Sequence, residues 1–141
     1  MSITKTMLTT LALGATIAFA GPAFAEKMKA TLDGKAEVPA NTSAGKGTAD
    51  IDYDAASKKL TWKLTYSGLS GPASAAHFHG PAEAGKNAGV AVAIPGATSS
   101  PAEGSAVLTD AQAADLVAGK YYINVHTAAN PGGEIRGQVT K

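Results

Sequence analysis

No cysteine occurs anywhere in the sequence, so disulfide staples and thiolate metal sites are both excluded. Charge of one sign is also lacking. With 12 basic and 11 acidic residues the chain is nearly balanced, which argues against nucleic acid and against an electrostatic membrane partner. No phosphate loop, Ser/His/Asp set or spaced carboxylate pair stands out. Asp50, Asp52 and Asp54 are spaced by two, but the glycine and distal glutamate of a calcium loop are missing, and the row reads as a solvated strand face. No apolar run reaches the ~20 residues that span a bilayer.

The apolar run that does occur lies at the beginning. Lys5 precedes an uncharged stretch from Met7 to Ala20, followed by Gly21-Pro22 and then Ala23-Phe24-Ala25. A basic start, a short apolar segment and an A-x-A site predict a cleavable secretory signal peptide over residues 1–25, with export to a periplasm or medium and no membrane span after cleavage. The chain from Glu26 to Lys141 then has the size of one domain, large enough to bury a core unaided.

That region is dominated by period-two alternation. Leu60, Trp62, Leu64 and Tyr66 alternate with Thr61, Lys63 and Thr65, which predicts a half-buried strand. Runs from Met28 to Leu32 and from Gly47 to Asp54 behave alike, with a turn at residues 54–58. Shorter strands are predicted at 75–79, 90–94, 105–108, 121–126 and 134–139, separated by Gly and Pro clusters. Residues 41–47 and 80–88 are expected as exposed loops. One segment departs from the pattern: Thr109 followed by Gln112, with Gly119 beyond, predicts a short capped helix near 109–118. The fold expected is all-β, an antiparallel β-sandwich or barrel with that single helix.

The chemical signal lies in the three histidines. His77 and His79 flank Phe78, so on a strand both imidazoles project from the face opposite the core. In 121–126, Tyr121, Ile123 and Val125 read as core, which leaves Tyr122, Asn124 and His126 on the other face. If the two strands meet in space, His77, His79 and His126 form a three-nitrogen set suited to copper or zinc. The alternative is three ordinary polar-face histidines. Tyr122 and Asn124 are either supports for His126 or strand filler, and Glu134 and Arg136 read as a surface ion pair.

The blocks Ala36-Glu-Val-Pro39, Leu60-Thr-Trp62, Ala75-Ala-His-Phe-His-Gly-Pro-Ala82 and Tyr122 through Gln138 resemble the CHRD domain family, named for chordin. The resemblance covers about 28–139 and implies an immunoglobulin-like or Greek-key sandwich in a short exported protein. In chordin these domains belong to an extracellular protein that binds signalling proteins. More distantly, His77-Phe-His79 and the later His126 look like the copper-ligand pattern of copper/zinc superoxide dismutases, with Arg136 near the place of that family's anion-guiding arginine. The bridging histidine, the zinc loop and the disulfide of that family have no counterpart. The resemblance implies one copper ion, ahead of zinc, at His77, His79 and His126. Three functions follow as expectations: copper binding or handling, a superoxide dismutase-like oxidoreductase, and a non-metal module with an envelope protein partner.

Overall fold

The computed structural model describes residues 24–141. Nearly all of the expected signal segment lies outside the described residues. Within them, no helix is long and apolar enough to cross a membrane.

Eight strands follow one another: β1 (Glu26–Asp33), β2 (Lys46–Asp54), β3 (Lys59–Ser67), β4 (Ala73–His79), β5 (Val90–Ala93), β6 (Ala102–Val107), β7 (Tyr122–Thr127) and β8 (Ile135–Gln138), with helix α1 (Asp110–Val117) between β6 and β7. All pair antiparallel in the order β5-β4-β7-β8-β1-β2-β3-β6. The sheet folds over on itself, so that its two halves enclose one core. Trp62 of β3 meets Phe78 of β4 across that core, with ring centroids 5.3 Å apart in an edge-to-face arrangement. The expected all-β fold with one short helix is the one observed.

The alternation in the sequence translates directly into burial. Leu60, Trp62 and Leu64 on β3 and Ala49, Ile51 and Tyr53 on β2 point inward, while the residues between them are exposed or half-buried. On the outer face the register aligns Lys29, Asp50, Lys63 and Glu103 in one row across β1, β2, β3 and β6. Opposite charges thus neighbour each other along the solvated face predicted for the Asp50 to Asp54 strand. Helix α1 begins with a full capping box: the Thr109 hydroxyl accepts from Gln112 N–H and the Gln112 side chain accepts from Thr109 N–H. Gly119, at φ 75, terminates it in the left-handed conformation that glycine adopts without strain.

The outer face of β4, β7 and β8 is different. Tyr122, Asn124 and Arg136 lie there and are buried, because three loop segments fold across them: residues 34–41, 80–89 and 129–133. The 80–88 segment is the exposed loop expected, with Pro81 and residues 83–87 exposed, but it is anchored to the sheet. Ala82 is buried, its N–H donates to Lys120 O, and Asn87 and Ala88 are tied to the sheet. A polar layer beneath loops, outside the hydrophobic core, sets the position of the candidate site.

Candidate metal centre

β4 and β7 are direct neighbours, with Ala75 opposite His126, His77 opposite Asn124 and His79 opposite Tyr122. That register places all three histidines on one face, outside the core filled by Phe78, Ile123 and Val125. One ring nitrogen from each of His77, His79 and His126 lies within 4.8 Å of the other two. His79 is buried and the other two are half-buried.

The hydrogen bonds of the rings determine which nitrogen is free. His79 Nδ1 lies 3.0 Å from Ala88 O, and His126 Nδ1 lies 2.9 Å from Pro131 O. A carbonyl only accepts, so both Nδ1 atoms carry the proton and both Nε2 atoms carry the lone pair. His79 Nε2 is buried and has no hydrogen-bond partner among the described residues. A buried acceptor left without a partner costs roughly 1–3 kcal/mol, so it requires a reason. His126 Nε2 lies 3.0 Å from His77 Nδ1, which makes His77 the donor between those two rings.

Burial pushes the His77 imidazole below its ordinary pKa, and the nearby His126 and His79 act in the same direction. Burial also lowers His79, against the opposing bond to Ala88. Both effects favour neutral rings, the protonation state in which imidazole binds metals. The donor set is therefore three imidazole nitrogens, with no thiolate or carboxylate in the cluster. An ion at ~2.0–2.1 Å from each needs no two donors more than ~4.2 Å apart, a slightly tighter cluster than the 4.8 Å limit within which these three lie.

The supports around the cluster are extensive. The Tyr122 ring stacks on the His79 ring, 4.9 Å away and nearly parallel, and its hydroxyl donates to Ala88 O and accepts from Ala88 N–H. Tyr122 is thus a support rather than filler, though it touches His79 instead of the expected His126. Asn124 is buried beside the cluster and donates to Gly132 O.

The expected surface pair of Glu134 and Arg136 does not form. Both residues are buried, and each serves a different partner. Arg136 Nε donates to Glu37 at 3.0 Å, and both side chains are about 95% buried. Burial pushes the Glu37 carboxyl up despite the opposing pull of Arg136. Glu134 accepts from Ser70 N–H and hydroxyl, Thr127 hydroxyl and Asn130 side chain. Burial alone would raise its pKa, but these donors outweigh it and hold the carboxyl at about 2. Glu134 thereby braces the 130–133 turn that carries Pro131 O to His126. Gly133 belongs to that turn at φ 131, where a Cβ would collide with Glu37 and Asn124.

Sequence patterning located the three histidines. It missed Glu37, which stands in an irregular segment where parity carries no information. It also missed the carbonyls of Ala88 and Pro131, which have no side-chain signature at all.

Comparison with known proteins adds the family context. A protein-family model described as the CHRD domain matches residues 28–139. No curated protein and no solved structure matches the chain.

Proposed function

The chain belongs to the CHRD domain family, and from that premise we propose that it is an exported protein binding one copper ion through His77 Nδ1, His79 Nε2 and His126 Nε2. Its role is copper binding or handling. The observation that carries this reading is the His79 ring, buried, fixed by Ala88 on one side and left with an unpartnered Nε2 on the other. A surface histidine needs no such orientation. A metal ligand does, and the usual outer partner of a ligating imidazole is a carbonyl or carboxylate on its second nitrogen. Two of the three rings have that partner.

Copper is favoured because the donors are all imidazole. Imidazole suits copper and zinc alike, but copper stands above zinc in intrinsic affinity for such sites. The signal segment over residues 1–25 and the absence of cysteine agree with a periplasmic or secreted setting, where no thiol of this chain competes for the metal. Residues 26–141 constitute the working domain in this reading. Three protein ligands leave a further position to solvent or to a receiving partner, which fits an ion that is passed on.

The test is titration of the protein from Glu26 onward with Cu(II), Cu(I) and Zn(II), followed by calorimetry and metal analysis. One equivalent of copper bound more tightly than zinc is expected, with the site lost in the His77→Ala, His126→Ala double variant. Absence of a stoichiometric site in the native sequence, or its persistence in that variant, rejects the reading. Catalytic turnover of superoxide above that of free copper would convert the assignment into an oxidoreductase.

A further inference from the structure

The buried pair of Arg136 and Glu37 lies beside the histidines, with Arg136 in one row with His77 and Asn124 across β4, β7 and β8, and its bonds lead to them. Every nitrogen of the Arg136 guanidinium is engaged. Nε donates to Glu37 Oε2 at 3.0 Å, Nη1 to Lys86 O at 3.2 Å and Nη2 to Asn87 Oδ1 at 2.7 Å. Its Cζ lies over the Tyr122 ring, 4.0 Å from the ring centre. A guanidinium buried and occupied in this way is not displayed to an incoming anion, so the guiding role implied by the dismutase resemblance does not fit this residue.

We infer that Arg136 is a positioning residue for the three-histidine centre, acting on His79 by two routes. The first is the loop: Arg136 fixes Lys86 and Asn87, and the next residue is Ala88, whose carbonyl accepts from His79 Nδ1. That bond sets the tautomer that frees Nε2. The second is the stack: Arg136 lies over Tyr122, and Tyr122 lies flat against His79. That contact sets the plane of the ring. Only a planar fork serves both routes at once, because a lysine ammonium lacks the flat face and the fixed spread of donors. Glu37 compensates the charge that Arg136 brings into the layer, without which a buried cation would be strongly unfavourable.

The inference rests on the copper reading above, yet its first readout needs no metal. Side-chain 15N shifts of the metal-free protein should show His79 as a single tautomer, protonated at Nδ1. In Arg136→Lys and in the charge-neutral pair Glu37→Gln, Arg136→Gln, His79 should become a mixture of tautomers. Asn87→Ala, at an exposed position, removes the Oδ1 acceptor of Arg136 together with the bond to Val38 O and should show an intermediate loss. Cu(II) affinity should fall about tenfold or more, the range found for outer partners of metal ligands, with an altered electron paramagnetic resonance spectrum and stoichiometry kept at one. A folded double variant with the native tautomer and native Cu(II) spectrum overturns the inference. If the charge variants do not fold, an unchanged tautomer in Asn87→Ala overturns it equally. Tautomer loss in the variants of a protein that binds no copper would sustain the role of Arg136 while removing the copper reading.

Discussion

His77 Nδ1 and His126 Nε2 lie 3.0 Å apart, joined by one hydrogen bond between neighbouring strands. The proton in that bond belongs to His77, because His126 donates its own from Nδ1 to Pro131. A metal cannot bind both nitrogens while the proton stays. It must move to Nε2 of the same ring, since a coordinating imidazole is neutral at its ligating nitrogen. Addition of one equivalent of Cu(I) or Zn(II), both diamagnetic, should therefore convert His77 from the Nδ1–H to the Nε2–H tautomer in 15N spectra. His79 and His126 should keep Nδ1–H throughout. Conversion at a ring other than His77 would place the ion elsewhere.

Phe78 performs the structural half of the His-x-His segment. It is fully buried between the two histidines, edge-on to Trp62 and 6.5 Å from the Tyr121 ring. Phe78→Ala should cost ~3–5 kcal/mol of stability, read by chemical denaturation, as large-to-small changes in a packed core do. Any metal affinity surviving in its folded fraction should remain close to native, because the alternation keeps Phe78 off the histidine face. A loss below ~1 kcal/mol would mean that β4 is not anchored through this ring.

The contrast between Phe78 and its flanking histidines explains what was legible in advance. Period-two patterning assigns a side to every strand residue, so it located His77, His79 and His126, and the β4–β7 pairing then brought the two strands together. The same rule assigns Tyr122 and Asn124 the correct face. Their burial was not legible, because it depends on the loops at 34–41, 80–89 and 129–133 lying across that face. Glu134 and Arg136 show the limit most clearly. Two opposite charges two residues apart suit a surface pair, yet Arg136 reaches back to Glu37, far away in sequence, and Glu134 binds Ser70. Long-range partners of loop residues leave no periodic trace.

Tyr122→Phe separates the stack from the hydroxyl. The ring against His79 is retained, while both bonds to the Ala88 backbone are lost. The cost in stability should be about 1 kcal/mol, the usual net worth of such a bond with some rearrangement. Copper affinity should weaken by less than in the Arg136 variants, because His79 Nδ1 still reaches Ala88 O. Calorimetry on the two proteins side by side measures the difference. Equal or greater loss in Tyr122→Phe would make the hydroxyl, rather than the Arg136 clamp, the main support of Ala88.

Glu134 predicts how the domain responds to acid. Its carboxyl titrates at about 2 in the folded protein against an ordinary value of 4.5. A carboxyl lowered by folding stabilises the native state above its unfolded pKa, and that contribution disappears as pH falls through the folded one. The contribution of Glu134, of order 3 kcal/mol at neutral pH, should therefore be complete above pH ~5 and lost between there and pH ~2. Glu134→Gln cannot ionise, so its stability should vary less across that window and converge toward the native protein at the acid end. Denaturant midpoints from pH 2 to 7 measure this. The same variant loosens the 130–133 turn, so the bond from His126 to Pro131 O should weaken with it. Parallel stability curves for the two proteins over the whole range would show that the Ser70, Thr127 and Asn130 donors do not hold the charge of Glu134.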